Sequence, residues 1–131
     1  MVNFYPGFIL PEAARLYEAE RALRRQHPTD DDFRAAVREL RRQNPLPKAS
    51  VHQVVDHIEH VIRTAGIDHV GLGSDFDGIP AVPEQLEDVS KYPVITQELL
   101  NRGYAKEQVV KVLGGNLLRA LRRAEEVAGR K

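Results

Sequence analysis

Apolar positions fall into short runs separated by long, charge-rich stretches, and their spacing changes along the chain. Val2–Tyr5 is a β-prone run stopped by Pro6-Gly7. Pro11 suits the first turn of a helix, where its missing N–H is not needed, and residues 12–26 are dominated by strong helix formers. Glu12 at the start and Arg24-Arg25 at the end match the helix dipole, and His27-Pro28 ends the segment. Thr29 is the expected cap of a second helix whose apolar residues, Phe33, Ala36, Val37 and Leu40, recur at helical spacing. Asn44-Pro45-Leu46-Pro47 is a loop.

Ser50 is the expected cap of a third helix, in which Val51, Val54, Val55, Ile58 and Ile62 form one apolar face and Gly66 closes the end. His69-Val-Gly-Leu-Gly73 reads as a short, glycine-rich strand running into the polar turn Ser74–Gly78. After a proline-rich loop, Ile95, Leu99 and Leu100 line one further helix. Val109, Val110, Val112 and Leu113 line another, and Gly114-Gly115 interrupts the pattern. Asn116 is expected to cap a last helix lined by Leu117, Leu118 and Leu121.

The order is strand, helical connection, strand, loop, helices, which calls for parallel strands joined by crossovers. Residues 11–48 form a helical excursion within a single domain spanning 1–131. Two parallel strands do not make a stable sheet by themselves, because parallel sheets are covered on both faces and belong to larger assemblies. The expectation is therefore a chain that either assembles with a partner or is part of a larger barrel, with an uncovered helix face at Val54, Ile58 and Ile62 and either self-association or partial disorder in isolation.

Composition narrows the function. The chain has 131 residues, 42% hydrophobic and 29% charged, with zero net charge, so nothing favours nucleic acid or an anionic membrane. It has no cysteine, which excludes disulfides and thiolate metal sites. No apolar run reaches the ~18 residues of a transmembrane helix. No signal-peptide pattern follows Met1, so the expected location is cytoplasmic.

The chemistry concentrates in His69–Gly78. An aspartate at the C-terminal end of a short parallel strand, Asp75, sits where (β/α) barrels place catalytic groups. Gly71, Gly73 and Ser74 permit close approach to the backbone. The alternative is a tight turn in which Asp75 or Asp77 bonds nearby N–H groups. His57 and His60, three apart on a helix, share a face as a metal clamp would, although hydrogen bonding to loops explains them as well. His69 is expected at the lower end of its strand in a stabilising role, and His27 and His52 at the surface.

Five segments in one order resemble the closing part of the membrane dipeptidases (renal dipeptidase, peptidase family M19): Met1–Tyr5, Asp56–His60, Val70–Gly78, Pro83–Pro93 and Gly114–Leu118. The resemblance covers the chain apart from the helical excursion. It implies an α/β fold, namely the C-terminal part of a (β/α)8 TIM barrel of amidohydrolase type. Val2–Tyr5 would be the seventh strand and His69–Gly73 the eighth, with a helical insertion between them. It implies a binuclear zinc dipeptidase, in which two zinc ions are held by upstream residues and a hydroxide shared between them attacks the dipeptide carbonyl.

On that resemblance Asp75 is the catalytic carboxylate, taking a proton from the water, passing it to the leaving amine and contacting the substrate ammonium. Tyr5 and Phe8 would wall the substrate pocket, with core packing as their other reading, and Asp77 and Gly78 would shape the loop. None of the family's metal ligands falls on this chain. No zinc is expected to stay bound to it alone, and the isolated chain is expected to be inactive. Its partners would be a dipeptide substrate and the missing N-terminal barrel portion, and a homodimer is compatible with the sequence. The competing reading is a non-catalytic small α/β binding or interaction module.

Overall fold

The computed structural model describes residues 1–129. Its α-helices are α1 (Pro6–Ile9), α2 (Pro11–Gln26), α3 (Asp30–Gln43), α4 (Val51–Ala65), α5 (Tyr92–Asn101), α6 (Lys106–Val110) and α7 (Asn116–Val127). The stretch Lys111–Gly115 links α6 to α7 across a kink at Gly114. Short 3-10 turns occupy Ile67–His69 and Val89–Lys91.

The caps read from sequence are in place. Thr29 Oγ1 accepts the Asp32 N–H at the start of α3. Ser50 and Gln53 form a reciprocal capping box at the start of α4, with the Ser50 N–H donating to Gln53 Oε1 at 2.8 Å. Gly66 ends α4 at φ 91°, a backbone geometry that costs glycine little.

The two expected strands are not formed as ladders, and among the described residues no strand is present. What remains of the pairing is one parallel bridge, Val2 with Leu72, made by Val2 N–H to Gly71 O (2.7 Å) and Gly73 N–H to Val2 O (2.9 Å). In a parallel register the next rung would pair Phe4 with the backbone of residues 73 and 75. Asp75 takes φ 63° and leaves the extended region there. The rung after that has no donor, because residue 6 is proline. His69 lies in the 3-10 turn rather than at the head of a strand.

The core gathers beneath this bridge. Val51, Val54, Val55 and Ile58 of α4 are buried with Val2, Phe4, Val70, Leu86, Ile95, Leu99, Val109 and Val112. The expectation of an uncovered face at Val54 and Ile58 is thus corrected: both are fully buried, because α5, the bridge segments and Leu86 close over them. Arg102 ties α4 to the end of α5, donating to Asp56, Glu59 and Glu98 and to the His52 carbonyl.

Several exposed apolar residues cluster between the end of α5 and α7. Leu117, Leu118 and Leu121 are 55%, 52% and 54% exposed, and Val110, Leu113 and Leu100 are exposed as well, so these leucines do not line this chain's core as their spacing suggested. Periodicity identifies a face that is to be covered; it does not say that this chain covers it.

Asn116 is likewise not a cap. The chain kinks at Gly114 (φ 157°, ψ −15°), and the helix has already resumed at Gly115 (φ −56°, ψ −40°), so Asn116 (φ −65°, ψ −41°) lies inside α7 rather than at its cap. Its amide is buried and donates to Ile67 O (2.7 Å) and Val70 O (2.8 Å), pinning the turn that leads into Gly71–Asp75.

The helical excursion packs as a hairpin. Glu20 of α2 is buried and grips the Arg41 guanidinium of α3 through two hydrogen bonds. No residue of α3 is fully buried, consistent with its narrow apolar stripe.

Candidate active site

Three short segments converge on Asp75. The bridge sets the end of Val2–Tyr5 beside Gly71–Gly73, and α5 supplies Tyr92 from below. Asn3 Nδ2 donates to Asp75 Oδ2 at 2.9 Å, joining residues 72 positions apart. Asn3 Oδ1 accepts the Tyr5 N–H at 2.8 Å, so one amide serves both the carboxylate and the backbone.

The loop around Asp75 is anchored on both sides. The Tyr92 hydroxyl bonds Ser74 Oγ at 3.0 Å. Phe76 lies against Phe4 (ring centroids 5.8 Å apart, edge-on) and Tyr92 (6.2 Å). Gly78 N–H donates to Asp75 O at 3.0 Å, closing a tight turn. Asp75 itself adopts the left-handed backbone at φ 63°, which costs a non-glycine residue and which aspartate tolerates better than most. Strain of this kind persists where the surroundings hold it, often at functional sites. The Asp75 side chain is exposed.

Gly78 has a specific reason to be glycine. A Cβ there would stand 2.4 Å from Asp75 Oδ1, so the carboxylate rests in the notch that the missing side chain leaves. Asp77 is exposed in the same turn.

Tyr5 and Phe8 are close to each other, their rings 5.3 Å apart and edge-on, and both meet Tyr17 of α2. Tyr5 is buried, whereas Phe8 is 52% exposed. Burial, reinforced by the Glu20 carboxylate, pushes the Tyr5 hydroxyl above its ordinary pKa. Phe8 shares a cleft of about 250 Å³ with Asn3, His57 and Val61. Phe8 thus shares a cleft with Asn3 that Asp75 does not line, while both the Tyr5 and Phe8 rings lean on Tyr17 of the excursion.

His57 and His60 have ring centroids 6.3 Å apart. Burial, then the neighbouring His60, hold the His57 imidazole below its ordinary pKa. Among the described residues, no group of three or more His, Cys, Asp or Glu side chains comes together to hold a metal ion. His52 bonds Glu98 at 2.8 Å, and no helix among the described residues is long and apolar enough to cross a membrane.

Asn3 and Tyr92 were not singled out by sequence reasoning, and Ser74 was noted only as a small residue. The available signal was a polar residue, Asn3, inside the β-prone run Val2–Tyr5; the partner of Tyr92 carried no signal, since it is set by a loop.

Comparison with known proteins defines first a class and then a family. The fold matches the probable dipeptidase PvdM from Pseudomonas aeruginosa with a TM-score of 0.69 and 28% identity, over 90% of this chain and 35% of that one. Dipeptidase tcpJ of Claviceps purpurea is 53% identical over 81 residues, and dipeptidase aclJ of Aspergillus oryzae 55% over 80 residues. These stretches are 62% and 61% of this chain and 19% of either relative, so the chain spans about a fifth of the length of those curated dipeptidases. The model of the membrane dipeptidase family (peptidase family M19) matches residues 1–131. The chain belongs to that family.

Proposed function

We propose that this chain is the C-terminal portion of a dipeptide-hydrolysing (β/α)8-barrel enzyme and that Asp75 is its proton-transferring carboxylate. The observation that carries the reading is the seat of Asp75. It follows a parallel-paired segment, adopts an unfavourable backbone geometry, lies exposed, and has its carboxylate fixed by Asn3 and by the Gly78 notch. A residue needed only to form a turn has no use for a bond to a side chain 72 positions away. In hydrolysis Asp75 accepts a proton from the attacking water and delivers it to the leaving amine, and its charge attracts the free ammonium of the dipeptide. Phe8, exposed in the cleft beside Asn3, offers an apolar wall for a substrate side chain.

The zinc ions associated with this reading do not fit the residues at hand. The described residues present no ligand cluster, and a catalytic zinc needs about three protein ligands. A binuclear centre would be built by the remainder of the barrel. The exposed stripe of Leu117, Leu118 and Leu121 supports that arrangement, because it supplies an apolar helix face for further barrel elements to cover. The chain alone is then inactive.

The test uses the complete enzyme, contiguous or reassembled from two polypeptides. Asp75→Asn keeps size and most hydrogen bonding but removes the proton acceptor, and kcat for dipeptide hydrolysis should fall by about 10²–10⁴-fold, with metal content unchanged. Asp77→Asn should retain turnover. Near wild-type turnover in Asp75→Asn, or equal losses in both variants, would refute the assignment.

A further inference from the structure

We infer that Asn3 is a positioning residue for Asp75, holding the carboxylate in its working orientation through a side-chain amide whose own orientation the backbone fixes. The inference rests on the proposed role of Asp75 and adds to it a second residue, from the other end of the chain.

The amide cannot turn over. A carboxylate only accepts and a backbone N–H only donates, so the nitrogen must face Asp75 Oδ2 and the oxygen must face the Tyr5 N–H. Asn3 is in turn placed by the bridge, since Val2 bonds both Gly71 and Gly73 and brings the next residue level with the strand end. Among the described residues, Asn3 is the side-chain donor on the Asp75 carboxylate.

The rest of the loop fixes the Asp75 backbone but not its carboxylate. Ser74 is held through Tyr92, Phe76 through Phe4 and Tyr92, and Gly78 through the Asp75 carbonyl. What these leave free is rotation of the exposed Asp75 side chain, and the Asn3 amide removes it. With Oδ2 on Asn3 and Oδ1 over Gly78, both oxygens have defined seats. A proton-transfer group gains rate from such fixation, and a misplacement of about 1 Å can cost about 10²-fold.

Two variants of the complete enzyme separate positioning from a plain structural role. Asn3→Asp keeps size and an acceptor for the Tyr5 N–H but loses the donor. Asn3→Ser keeps a short acceptor for the same N–H, is too short to reach Asp75, and adds no charge. Both should lower kcat by about 10–100-fold, with KM changed less than about threefold and the melting temperature nearly unchanged. Asp75→Asn is measured alongside. If Asp75→Asn itself retains turnover, the catalytic reading fails at its root. If Asp75→Asn loses turnover while Asn3→Ser keeps kcat within about twofold of wild type, or loses kcat only in step with thermal stability, the positioning role is overturned.

Discussion

Asn116 offers the sharpest test of how the chain holds its site. The sequence reads it as a helix cap, whereas the structure buries it as a two-pronged clamp on Ile67 O and Val70 O, and the two readings rank substitutions in opposite order. Aspartate and serine are good caps and would be nearly neutral at a cap position. At the clamp, Asn116→Asp loses both donors and sets a carboxylate against two carbonyl oxygens. The Ile67 bond is partly buried, so water can replace it, and its loss costs about 1 kcal/mol; the Val70 bond is buried, and leaving its carbonyl unpaired costs about 1–3 kcal/mol. The sum, about 2–4 kcal/mol, is a large share of the stability of a domain this size.

The Arg119 bond to Asp68 O and the Lys111–Asp68 ion pair still hold the same turn, so the variants should fold. Urea denaturation followed by circular dichroism, at one fixed protein concentration because association shifts apparent stability, should place the Asn116→Asp midpoint about 1–2 M below wild type. Asn116→Ser should fall below wild type for the same reason. Midpoints within about 0.3 M of wild type for both would show that the clamp contributes little and that the sequence reading was right.

Two further outcomes are expected. The leucine stripe on α7 should make the isolated chain self-associate, and Leu117→Glu with Leu121→Lys should restore a monomer by sedimentation while abolishing reconstitution with the remainder of the proposed barrel; an unchanged sedimentation profile would count against the stripe as the associating face. His57, held below its ordinary value of 6.5 by burial and then by His60, binds fewer protons folded than unfolded; its contribution to stability is full above about pH 6.5 and is lost as pH falls through the folded value, so His57→Gln should shrink the difference between urea midpoints at pH 7.5 and 5.5, and an identical difference in both proteins would contradict it.

Local signals were legible where the deciding physics is local. The caps at Thr29, Ser50 and Gly66 depend on bonds within one turn, and each stands where the sequence placed it. The buried face of α4 followed from spacing alone, because four of its five apolar positions point into one core. The family was legible for a different reason: five segments in one order are specific together, and the match of the membrane dipeptidase family to the chain bears out that resemblance.

What could not be read was every feature decided by a distant partner. Asn116 has the composition of a cap, and only the approach of residues 67–70 turns it into a clamp. The leucines of α7 have the spacing of a core face, and nothing in their period says whether this chain or another polypeptide segment covers them. The strands failed for the same reason in reverse. Their residues are β-prone, yet a ladder needs consecutive rungs, and the backbone turn at Asp75 removes the second one. The turn that ends the pairing also lifts Asp75 out of the ladder, where its backbone would be pinned in extended form, and delivers its carboxylate to Asn3. Loss of the rung and placement of the acid are one event, so a variant that extended the bridge by relaxing φ at Asp75 would lengthen the strand and displace the carboxylate together.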